Sequence, residues 1–158
     1  MSSTAIDRET LNVRRALATF VGSYIAITVL AFGLYLLIAV IQGTSLSAGF
    51  DIRRDPSYLL AEKLYPLLNL GVWGLFAAVY FRRVTDRSLK QAWLLGCFWL
   101  AVALPLDLVC FVLVPNPLQV SARGFYVDQF PWIYLTYLVV AISPALSVVV
   151  QRTRRAVR

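Results

Sequence analysis

The chain contains no histidine, and Met1 is its only methionine. These two gaps remove haem held through His or His/Met and every His-bearing zinc, copper or non-haem iron site. They also remove Ser-His-Asp and Cys-His catalytic pairs. The two lysines, Lys63 and Lys90, lie at the margins of apolar runs, so no amine is placed for a Schiff base at mid-membrane depth. No glycine-rich phosphate loop occurs. Cys97 and Cys110 stand thirteen residues apart, which is about 20 Å along one helix and on separate faces, too far to bridge. No C-x-x-C spacing exists, and both cysteines read as small packing residues. Acids are scarce too, with eight Asp and Glu against fifteen Lys and Arg. A non-enzymatic protein with no cofactor and no metal is the expectation.

What the chain has in quantity is apolar sequence. Apolar residues make up 59% of it, the mean hydropathy is +0.72, and four long runs occupy residues 16–41, 64–81, 92–114 and 132–150. A helix rising about 1.5 Å per residue crosses a hydrocarbon layer of about 30 Å with roughly 20 residues. Each run is therefore a membrane span. The first is too long for the apolar core of a signal peptide and is followed by no clean cleavage site, so it reads as a retained span. No stretch between the spans is long enough for a separate soluble fold, which needs about 50 residues or more. The expected fold is an all-α integral membrane protein, a four-span antiparallel helix bundle forming one domain over residues 1–158.

The positive charge is one-sided. Four spans put both termini and the middle loop on one face, which then holds Arg8, Arg14, Arg15, Arg82, Arg83, Arg87, Lys90, Arg152, Arg154, Arg155 and Arg158. Only Arg53, Arg54, Lys63 and Arg123 fall on the other. Such a split orients the fuller face to the cytoplasm, so both termini are expected there. The net charge of +7 is then a topology signal that also favours anionic lipid headgroups. With no recognisable binding module attached, it does not point to nucleic acid. Arginine usage and compact loops lean towards a bacterial inner membrane.

Local signals place the boundaries. Asp7 is positioned to cap a turn leading into Leu11 and Val13. The glycines and serines of 42–55 read as an irregular connection. Asp55-Pro56 is a sharper sign, because Asp favours the N-cap and Pro the first helical position. The short segment 82–90 predicts that the second and third helices pack as a hairpin. Pro66, Pro105 and Pro144 each free a carbonyl four residues earlier and permit a kink. The aromatic-rich segment 125–132 reads as an interfacial belt or a partner-binding lid.

Helices in lipid associate through close packing and polar contacts. Ala18, Gly22 and Ala26, with Gly33 near the same stripe, form a small-residue face on the first span. Gly71 and Gly74, with Ala78, form one on the second, and both are expected to pack against a helix. Ile27 is expected to face lipid.

Asp107 is the one acid deep within a span. A charge there costs about 2–3 kcal/mol or more, so such an acid faces the bundle interior or a wet cavity. Gly96, Ala103 and Cys110 share its helical face. Counting depth along the other spans sets Tyr35, Asn69, Tyr134, Thr136 and Tyr137 at a comparable level, with Ser143 and Ser147 extending polarity along the last helix. Asp107 is expected to bond Asn69 and one of Tyr134 or Tyr137.

Two classes of function follow. The leading one is an accessory, assembly or regulatory protein that binds a larger membrane protein or lipid. The other is a small oligomeric carrier or channel using the polar cluster around Asp107. A lipid-handling enzyme ranks last, because one carboxyl group without a second acid, a histidine or a metal is a poor catalytic set.

Overall fold

The computed structural model describes residues 11–44, 55–84, 87–115 and 119–156, and among these every regular element is helical. The turn expected at Asp7 and most of the connection expected over 42–55 lie outside the described residues. Five α-helices occur: α1 (Val13–Gln42), α2 (Pro56–Phe81), α3 (Leu89–Asp107), α4 (Ala122–Tyr126) and α5 (Trp132–Ala156). A π-helical segment, Leu108–Leu113, continues directly from α3. Four of these stretches are long and apolar enough to cross a membrane: Val13–Gln42, Pro56–Phe81, Leu89–Leu113 and Trp132–Arg154. The chain is a multi-pass helical membrane protein on that basis.

The ends obey local chemistry. Asn12 caps α1 through the Arg15 amide at 3.1 Å, Asp55 caps α2 through the Ser57 amide at 2.8 Å, and Ser88 caps α3 through the Gln91 amide at 3.1 Å. Each side-chain oxygen satisfies an amide that has no partner within its own helix. Pro56 follows Asp55 as the first helical residue, the arrangement the sequence predicts. α1 stops at Gly43, whose φ of 65° is left-handed; there its amide reaches the carbonyls of Ala39 and Val40.

The packing departs from the expected hairpin. α2 packs against α1 on one side and α5 on the other, and α5 packs against α3. Among the described residues, the backbones of α2 and α3 stay apart, and the two helices meet through side chains, Trp73 against Trp99. Gly96 shows how closely α3 and α5 come together. A Cβ there would collide with the backbone carbonyl of Ala141, so glycine lets α3 and α5 approach backbone to backbone. A short connection limits how far two helix ends can separate but does not oblige their backbones to pack.

Aromatic side chains fill the space between α1, α2 and α3. Phe20, Trp73 and Trp99 are buried, with ring centroids 5.5 Å apart for the first pair and 5.2 Å for the second. The Trp99 indole N–H donates to the Ala16 carbonyl at 3.0 Å, tying α3 to α1 where few backbone contacts join them. A smaller cluster of Tyr35, Ile38 and Ala61, with Tyr58 and Tyr65 against it, joins the second half of α1 to the first half of α2. The outer surface is largely aliphatic, with Val40, Ile41 and Leu67 each more than 70% exposed. In water that surface would be a liability; in lipid it is ordinary.

The small-residue faces meet the rest of the bundle only in part. Ala18, Gly33 and Gly71 are exposed, and a Cβ at Gly33, Gly71 or Gly74 would meet open space. Gly22 and Ala26 are half-buried, and a Cβ at Gly22 would come within 2.7 Å of the Phe76 ring. Ile27, expected to face lipid, is buried. The interior face of α1 is instead Ala16, Thr19, Phe20, Ser23 and Ile27. The Thr19 and Ser23 hydroxyls bond back to carbonyls of their own helix, which lets them sit inside without other partners.

Candidate functional site

Asp107 occupies the junction where α3 gives way to the π segment, and it is buried with 9% of its surface exposed. Pro105, two residues earlier, cannot donate a backbone hydrogen bond, and the widened turns follow directly. The π segment ends with its carbonyls met from outside the helix. The Val120 amide donates to Phe111 O at 2.8 Å and the Gln119 side chain to Val112 O at 3.0 Å. Phe111 stacks on Phe125 of α4 with centroids 5.8 Å apart, which seats the connection between α3 and α5 over this end of the bundle.

Two phenols converge on the Asp107 carboxyl group. The Tyr24 hydroxyl of α1 donates to Oδ1 at 2.5 Å, and the Tyr137 hydroxyl of α5 donates to Oδ2 at 2.9 Å. One acid thus links three helices, with each oxygen engaged. Tyr24 stacks on Phe20 at 5.7 Å, which fixes its ring to the aromatic core. The chemistry available is that of a carboxyl group clamped between weak acids. Among the described residues no group of three or more His, Cys, Asp or Glu stands together to hold a metal.

Of the residues predicted to meet Asp107, only Tyr137 does so. Asn69 is buried but turns elsewhere: its amide N donates to Tyr65 O at 2.8 Å and its Oδ1 accepts the Trp73 indole N–H at 2.9 Å. Tyr134 is half exposed and donates to Tyr126 O at 3.0 Å, fastening α5 to α4. Thr136 is half-buried. Ser143 is fully buried and bonds Val139 O of its own helix at 2.6 Å, while Ser147 accepts from Gln151 at 3.1 Å. Tyr24 escaped the sequence reading because a tyrosine midway along an apolar run carries no signal of its own. Its level follows only from the structure's Trp99–Ala16 bond, since the eight residues from Ala16 to Tyr24 equal the eight from Trp99 to Asp107.

Tyr35 belongs to a second polar group, at the far end of α1. Its hydroxyl donates to Asp55 Oδ2 at 3.0 Å, and the Ser57 hydroxyl donates to Gln42 Oε1 at 2.8 Å and lies 2.9 Å from that of Thr44. The Ser57 amide, and then the Tyr35 hydroxyl, hold the Asp55 carboxyl group below the usual range against a smaller opposing effect of burial. In α4, burial pushes the Tyr126 phenol up, with Asp107 and Tyr134 adding to the shift. The predicted polar convergence is therefore dispersed: Tyr35 lies about eleven residues along α1 from Tyr24, on the order of 16 Å, and Asn69 and Tyr134 keep partners of their own.

No family model, characterised protein or solved structure matches the chain.

Proposed function

We propose that this protein is an accessory subunit of a larger membrane protein, seated in a bacterial inner membrane with both termini cytoplasmic. Its outward glycine faces would be the docking surface. The observation that carries this reading is the exposure of Gly33 and Gly71 and the open space beside Gly33, Gly71 and Gly74. In lipid, a glycine that packs against nothing of its own chain lets a foreign helix come close. Clamping of the Asp107 carboxyl oxygens by Tyr24 and Tyr137 argues for an acid that holds the bundle together, since a carrier needs a carboxyl group free to exchange partners.

The antiparallel arrangement belongs to the same reading. The Arg15 guanidinium at the start of α1 donates to Val79 O near the end of α2, while Tyr35 late in α1 meets Asp55 at the start of α2. The two bonds between α1 and α3 keep one spacing, as parallel helices would. With eleven of the fifteen basic residues on the terminal face, the positive-inside rule puts that face in the cytoplasm. Extraction in mild detergent followed by size separation tests the function. Recovery with a stoichiometric larger membrane protein is the expected result. A homo-oligomer favours the carrier reading, and a solitary monomer refutes the subunit.

A further inference from the structure

At the arginine-rich end of the bundle, a cleft of about 190 Å³ opens between the start of α3 and the end of α5, lined by Arg87, Val148, Gln151 and Arg152. Arg152 donates from Nη2 to the backbone carbonyl of Arg87 at 3.0 Å, which holds the two basic residues together across the gap. Among the described residues, Arg123 pairs with Asp128 and no acid pairs with either guanidinium of the cleft. Ser88 caps α3 beside Arg87, so the positive end of that helix dipole adds to the same field. One turn into α3, Trp93 is half exposed, as an indole at headgroup level would be. The Gln151 amide completes the wall with a neutral polar group, and Val148 gives the cleft an apolar floor.

We propose that this cleft binds a phosphate group, that of an anionic lipid headgroup resting against the bundle. Guanidinium groups are planar donors matched to phosphate oxygens, and two arginines lining one cleft make it attractive to an anion. The aliphatic surface of α5 flanking the cleft, where Val149 is exposed, would take the acyl chains. The site is independent of Asp107 and of the glycine faces, so it stands or falls apart from the subunit reading.

The test uses the full chain purified in a neutral maltoside detergent, with binding read from the rise in melting temperature. Phosphatidylglycerol, phosphatidylcholine and inorganic phosphate are titrated separately against the parent and its variants. Phosphatidylglycerol is expected to stabilise the parent more than phosphatidylcholine does. Arg87→Gln combined with Arg152→Gln should weaken the phosphatidylglycerol response by roughly tenfold or more, since each basic residue near a headgroup contributes on the order of fivefold. Arg87→Lys, which keeps the charge, should retain most of it, and Arg154→Gln, on the same helix but outside the cleft, should leave it unchanged. A parent-like response to inorganic phosphate at the same concentration would keep the phosphate site but assign it to a soluble ligand. Equal responses from the parent and the double Gln variant, or equal losses in the double variant and Arg154→Gln, would overturn the site.

Discussion

Asp107 is the residue on which three helices meet, and its partners make its role separable by substitution. Asp107→Leu leaves the Tyr24 and Tyr137 hydroxyls buried without an acceptor, a loss of about 1–3 kcal/mol for such a group. Asp107→Asn keeps an oxygen for one phenol and should be distinctly milder. Tyr24→Phe and Tyr137→Phe should each cost about 1 kcal/mol, in line with hydrogen bonds between helices in lipid. Chemical unfolding in detergent checks the order: Leu worst, Asn mildest, the two Phe variants between. Asp55 gives a pH signature instead. Its folded pKa is depressed, so the stabilisation is complete above the unfolded carboxylate value of about 3.9 and is lost as pH falls through the folded value. Melting of the parent from pH 5 downwards should therefore steepen below pH 4. Asp55→Asn, still able to cap α2, should lack that component.

At the scale of the element, glycines divide into those that admit a neighbour within the fold and those that look outward. Gly96→Ala should destabilise by about 2 kcal/mol or more, because the atom in its way is a backbone carbonyl that cannot swing aside. Gly33→Ala and Gly71→Ala meet open space and should stay within about 1 kcal/mol, helped by alanine's better helix propensity. Thermal melts of the three variants side by side check the contrast. The four long helices, the Asp55 cap of α2 and the buried Asp107 are legible in the sequence, because hydropathy, Asp-Pro chemistry and the cost of an intramembrane carboxyl group are local properties; the Asn12 and Ser88 caps are not. Nor are the faces that close. Ala18 and Gly71 carry the same small-residue pattern as Gly96, and the pattern alone does not distinguish a helix of this chain from a foreign one. Asn69 was placed near Asp107 by depth, yet Trp73, one turn along the same helix, offers its indole N–H closer at hand. Depth counted along the apolar runs holds for Tyr137 but fails on α1, where Tyr24 and not Tyr35 lies level with Asp107; rotation about a helix depends on neighbours.

The whole molecule is a bundle ordered α1, α2, α5, α3, in which polar side chains join α1 to α3 while apolar side chains cover the outside. Its orientation is testable in a background without Cys97 and Cys110. A cysteine at Ser121 should react with an impermeant thiol reagent in intact cells, and one at Thr85 should not; the reverse would invert the topology. The central claim is that Asp107 holds the bundle together from inside while the outward glycine face of α2 does the protein's work. Purification of three forms in mild detergent tests it most directly: the parent, Asp107→Asn, and Gly71→Leu combined with Gly74→Leu. The expected result is that the parent and Asp107→Asn retain the same larger membrane partner, while the glycine variant keeps its melting temperature and loses that partner. Retention of the partner by the glycine variant, with loss in a stably folded Asp107→Asn, would contradict it.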